Sequence, residues 1–95
     1  MDLSPESLTL TDLVRGEMYL LVLYPVYKVH GNSGKVIIEL TDSSGNQLEP
    51  TRRSELDSGT PVVFVQPWFD GDHAVVLTSD GFSRVWVKHL IRRLQ

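Results

Sequence analysis

Ala74-Val75-Val76-Leu77-Thr78-Ser79-Asp80-Gly81-Phe82-Ser83-Arg84-Val85-Trp86-Val87 reads as two strands joined by a tight turn. β-Branched and aromatic residues crowd both flanks, and these side chains suit a pleated surface. Asp80-Gly81 is a strong hairpin signal, because glycine takes positive φ without a steric penalty. The spacing predicts strands over His73–Thr78 and Phe82–Val87. Immediately upstream, Pro61–Gln66 is a third strand, Val62-Val63-Phe64-Val65 at its centre. The loop between them, Pro67-Trp68-Phe69-Asp70-Gly71-Asp72, carries two large aromatics into a turn.

A similar succession occurs earlier in the chain. Tyr24-Pro25 leads through Val36-Ile37-Ile38-Glu39-Leu40-Thr41 to Ser44-Gly45, as Gln66-Pro67 leads through Ala74–Thr78 to Asp80-Gly81. Self-similarity of this length points to one small β-unit used twice. The expected pseudo-repeats are residues 17–56 and 60–95, either closing one shared barrel or lying side by side. Within the first, Glu17–Val29 is expected as a long strand bent at Pro25 and Lys35–Thr41 as the next. Gln47–Arg53 is expected as a short edge strand holding Pro50. Arg53–Gly59 is polar and reads as the segment that closes the copy. Ser4-Pro5-Glu6 resembles a helix start, with little after it to sustain a helix, so residues 4–15 are expected as a single turn covering one end of the core. Leu90, Ile91 and Leu94 have helical spacing, which predicts one or two helical turns over Lys88–Leu94.

Ninety-five residues with 41% hydrophobic content fit one ordered domain near the lower comfortable size for a core without staples. With no cysteine, disulfides and thiolate chemistry are excluded. No window approaches a membrane span, and no basic segment followed by an apolar one marks a secretory leader, so a cytoplasmic protein is expected. The net charge of −3 disfavours long-range attraction to nucleic acid. Bases nevertheless gather toward the C-terminus at Arg84, Lys88, Arg92 and Arg93. They form a candidate anion-binding end, or the cationic terminus of a solvated helix.

Ala74–Thr78, Asp80-Gly81, Val85-Trp86-Val87 and Leu90 resemble the last part of the SH3-like barrel family. There, a distal hairpin leads into a strand ending in aromatic-Val and then a short helical turn. The match covers about a quarter of the chain. It implies an all-β, SH3-like antiparallel barrel of five to six strands with a short C-terminal helical turn. Signalling members carry an Ala-Leu-Tyr-Asp-Tyr-type segment, which Leu23-Tyr24-Pro25-Val26-Tyr27 echoes only faintly, and a Trp where His73 stands here. The proline-peptide groove of those members is therefore not implied.

Catalytic patterns are missing. There is no Gly-x-Ser-x-Gly elbow and no Gly-rich phosphate loop before a helix. His30, His73 and His89 lack metal-ligand spacing. Asp70-Gly71-Asp72-His73 gathers oxygen and nitrogen ligands, but an Asp-Gly turn capping its own backbone accounts for it better. Trp68 and Phe69 in one copy, and Tyr24 and Tyr27 beside the equivalent proline in the other, are the candidate partner-binding residues. Trp86, Phe64 and Phe82 are expected in the core, while Trp68 and Tyr27 are open to either role. The expectation is a non-enzymatic interaction or assembly module without cofactor, metal or small-molecule substrate. It would dock a protein partner or a second copy through exposed aromatics or a sheet edge, for which Val62–Val65 is suited. The alternative is a nucleic-acid-binding barrel using the basic end.

Overall fold

The computed structural model describes residues 8–22 and 34–92. The helix start at Ser4–Glu6, the distal part of the first expected strand, and Tyr24, Tyr27 and Arg93 lie outside the described residues.

Among the described residues the chain forms seven strands, more than the five to six expected: β1 Met18–Leu21, β2 Lys35–Glu39, β3 Arg53–Asp57, β4 Thr60–Pro67, β5 His73–Thr78, β6 Gly81–Trp86 and β7 Leu90–Arg92. Every pairing is antiparallel. The all-β expectation holds. Five strands make one sheet in the order β6-β5-β4-β1-β7, and β2 and β3 make a separate hairpin. A single 3-10 turn at Leu10–Asp12 precedes β1, its Asp12 carboxylate accepting the Thr9 N–H at 2.8 Å.

Two expectations for particular segments are overturned. Gln47–Arg53 is not a strand; only Gln47 bridges back, to Thr41, and the strand is the polar run Arg53–Asp57. Its pairing with β2 buries Leu56 beside Val36, while Arg53, Glu55 and Asp57 stay in water. The described part of the expected helical segment Lys88–Leu94, residues 88–92, is not helical beyond one 3-10 turn at Val87–His89. Leu90 and Ile91 then pair with Leu21 and Leu20 of β1 as strand β7. Among the described residues, Arg84, Lys88 and Arg92 therefore have no helix dipole to complement.

Alternate residues of both sheets enter one apolar cluster. It joins Tyr19, Leu21, Val62, Phe64, Ala74, Val76, Val85 and Leu90 of the large sheet to Val36, Ile38 and Leu56 of the hairpin, with Leu8 and Leu13 at one end. The sheets meet along β6: Leu40 bridges Ser83, and the Thr41 N–H donates to the Phe82 carbonyl at 2.9 Å. The buried Ser83 hydroxyl donates to the Glu39 carbonyl at 2.7 Å. These links do not close one continuous hydrogen-bonded barrel among the described residues.

Beyond β2 the chain wraps round the β6 edge onto the outer face of the large sheet. There the Asp42–Asn46 turn lies over Val75, which is fully buried although it points away from the main core. The Gln66 amide donates to the Ser43 carbonyl at 3.0 Å and fastens this turn to β4. Past Val75, the outer face carries an apolar row in register across four strands, Phe82, Leu77, Val63 and Met18. Leu77 and Met18 are exposed, and Phe82 and Val63 half-buried.

Candidate functional site

Trp68 leaves β4 as the strand ends at Pro67, and its indole settles on the outer face. It lies flush on Gly45: a Cβ at that glycine would sit 2.7 Å from the indole and 2.7 Å from Val75. The Arg84 guanidinium covers the ring at 4.4 Å from its centroid and reaches the Gly45 carbonyl at 3.4 Å. Trp68 is thus half-buried in a small second core, held by packing and a cation–π contact. Phe69 rests against it, ring centroids 4.7 Å apart, yet is 87% exposed.

The loop that presents Phe69 is built around Asp70. One carboxylate oxygen accepts the Asp72 N–H at 2.9 Å and the His73 N–H at 3.1 Å, and the other meets the His73 ring nitrogen at 2.6 Å. Partial enclosure works to raise the Asp70 pKa. The Asp72 N–H, the His73 ring and the His73 N–H outweigh it and hold the carboxyl below its ordinary value. Trp68 N–H donates to the His73 carbonyl at 2.9 Å, and Val87 N–H to the Asp72 carbonyl at 3.0 Å. The Asp70–His73 segment is therefore a self-capped turn, as its sequence suggests. Among the described residues no cluster of three or more His, Cys, Asp and Glu side chains could hold a metal ion.

Trp86 departs from expectation. It is 41% exposed, because β6 turns Ser83 and Val85 inward and so sends Arg84 and Trp86 outward. The register of β6 decides this; neighbours Val85 and Val87 made either orientation readable. The Lys88 ammonium lies 5.1 Å from its ring centroid, and the His89 ring 6.1 Å away. Between Trp86 and β2 runs a cleft of about 460 Å3, lined by Ile37, Glu39, His73, Arg84 and His89 among others. Ile37, 66% exposed, is its apolar lip. Phe64 is buried as expected and Phe82 only half so.

Among the described basic residues, Arg84, Lys88 and Arg92 have different neighbours. Arg84 is taken up by Trp68, Lys88 lies over Trp86, and Arg92, in β7, is near enough to Asp12 to help lower its pKa. Thr9 does most of that lowering through its backbone and hydroxyl. Val62–Val65 is not a free edge either, since β4 is paired on both sides, with β1 and with β5.

No family model, curated protein or solved structure matches this chain.

Proposed function

We propose that this chain is a non-enzymatic interaction module whose docking anchor is Phe69 on its Trp68–Arg84 seat. The observation that carries the reading is the combination of an almost wholly exposed phenyl ring with a loop that cannot easily fold it away. Burying a phenylalanine is worth about 1.5–3 kcal/mol, and the free molecule leaves that gain unused. A loop already fixed by Asp70 loses little further entropy when a partner covers the ring. Trp86, at the strand position paired with His73, is a second exposed aromatic on the same side of the sheet. The same reading takes the fold as an open relative of the SH3-like barrel. In its support, the β5–β6 hairpin ends at Val85-Trp86 and passes into the Val87–His89 3-10 turn, in the order that resemblance implies.

Phe69→Ala is the direct test. Stability stays within about 0.5 kcal/mol, because the ring is exposed and makes few contacts to lose. Affinity for proteins retained by the wild-type chain falls by roughly tenfold or more, as expected for a central aromatic anchor. A variant that keeps the same partners at unchanged affinity overturns the proposal.

A further inference from the structure

Among the described residues β3 ends the small sheet, and no strand pairs with its outer side. Leu40 N–H donates to the Arg52 carbonyl and Ser58 N–H to the Gly34 carbonyl, so the even-numbered residues of this segment bond to β2. Antiparallel geometry then turns the backbone N–H and C=O of Arg53, Glu55 and Asp57 away from β2. The Asp57 carbonyl accepts the Thr60 hydroxyl at 2.6 Å, which leaves Arg53 and Glu55 as the usable edge. Among the described residues no backbone group bonds to either from that side. Their side chains are exposed and stand on the same face as Glu39 and Ile37, their opposites on β2. Arg53 thus faces an acid, while Glu55 faces an isoleucine and has Lys35 only on the diagonal.

We infer that this edge pairs with the β3 edge of a second copy of the chain, antiparallel about a two-fold axis at Ser54. The charges choose the register. Centring the axis on Glu55 sets that glutamate against its own copy and offers Arg53 only an Asp57 that Lys35 already holds, and centring it on Arg53 sets arginine against arginine. The Ser54-centred register alone places Arg53 opposite Glu55 of the partner subunit, on both sides of the axis. Arg53 and Glu55 then exchange both backbone hydrogen bonds with their opposites, and Glu55 gains the cation that its own sheet does not place across from it. Charges on an exposed edge ordinarily discourage indiscriminate pairing. Here the same charges reject the neighbouring registers and accept one, which is how specificity is built by repulsion as well as attraction. The product is a four-stranded sheet running β2-β3-β3-β2. The inference goes beyond the aromatic docking reading and does not require Phe69.

Sedimentation equilibrium at low ionic strength tests it with charge-reversed chains. The wild type shows a concentration-dependent dimer that weakens as salt is added. R53E and E55R, each alone, set like charges opposite one another across the axis and weaken the dimer by roughly tenfold or more. Mixed in equal amounts, the two variants associate again, because one edge then offers two acids and the other two bases. E55R brings an arginine near Lys35 and R53E a glutamate opposite Glu39, so thermal unfolding of each variant is followed alongside, and recovery of association in the mixture is the readout that a loss of folding cannot mimic. Phe69→Ala dimerises as the wild type does. A wild-type chain still monomeric at about 1 mM, or a mixture no tighter than its separate components, overturns the inference. So does a dimer lost in Phe69→Ala but retained in both charge variants.

Discussion

Gly45 shows how one residue serves two purposes that the sequence expresses as one. Ser44-Gly45 reads as a turn, and the glycine does have positive φ, +88°. Its second purpose is space: Trp68 and Val75 both lie where a side chain would begin. That requirement could not be read from residues 42–46, because it depends on the wrap of the turn over the outer face. Gly59 has a similar φ of +95° but nothing within 4 Å of its missing Cβ, so it separates the two effects. Gly59→Ala should cost about 1 kcal/mol, the backbone penalty alone. Gly45→Ala should cost about 2–4 kcal/mol by adding overpacking to that penalty. It should also displace Trp68 from Arg84 and shift the tryptophan fluorescence. Equal losses at the two glycines in urea unfolding would mean that the indole moves aside freely. Trp68 itself was half legible. Its position at a loop tip was plain from Pro67 and Asp70-Gly71, whereas the Arg84 contact needs a register linking residues far apart in the chain.

At the scale of strands, legibility followed apolar density. β2, β4 and the β5–β6 hairpin were readable because Val36-Ile37-Ile38, Val62–Val65 and Ala74–Leu77 are dense in branched side chains. β3 was not, since Arg53-Ser54-Glu55-Leu56-Asp57 has one apolar residue, and one inward side chain per pleat is all that a water-facing edge strand requires. β7 was misread for the opposite reason: Leu90, Ile91 and Leu94 fit helical spacing, but three residues cannot distinguish a helix period from a strand whose two faces are both covered. The joint between the sheets was invisible, because it depends on a buried serine in an otherwise ordinary strand. Ser83→Ala removes the hydroxyl donated to the Glu39 carbonyl and should cost about 1–2 kcal/mol. If the joint is local, amide exchange at Leu40 and Thr41 accelerates more than exchange within β5. Uniform acceleration along all strands would show instead that Ser83 contributes only to global stability.

For the molecule as a whole, the question is whether two sheets that share no continuous ladder behave as one unit. Composition and strand pattern made the all-β class readable, but not the division into five strands and two, since that is settled by contacts such as Leu40 with Ser83. Hydrogen bonds between the sheets are few, so any unity must come from the apolar interior. Val36, Ile38 and Leu56 belong to the same buried cluster as Leu21, Phe64 and Leu90, and neither sheet has a second face able to bury them separately. A hairpin detached from that cluster would expose its apolar side and would be marginal in water. Unfolding is therefore expected to be a single transition. Ile38→Ala in β2 and Leu90→Ala in β7 should each cost about 2–5 kcal/mol, the usual range for emptying a packed site. The decisive comparison is between probes. Trp68 on Gly45 and Trp86 beside β2 report by fluorescence on the junction of the two sheets, while circular dichroism reports on all strands. Coincident midpoints in both variants, displaced together from the wild type, are the mark of one cooperative core. If in Ile38→Ala the fluorescence transition precedes the main dichroism transition, the β2–β3 hairpin melts on its own.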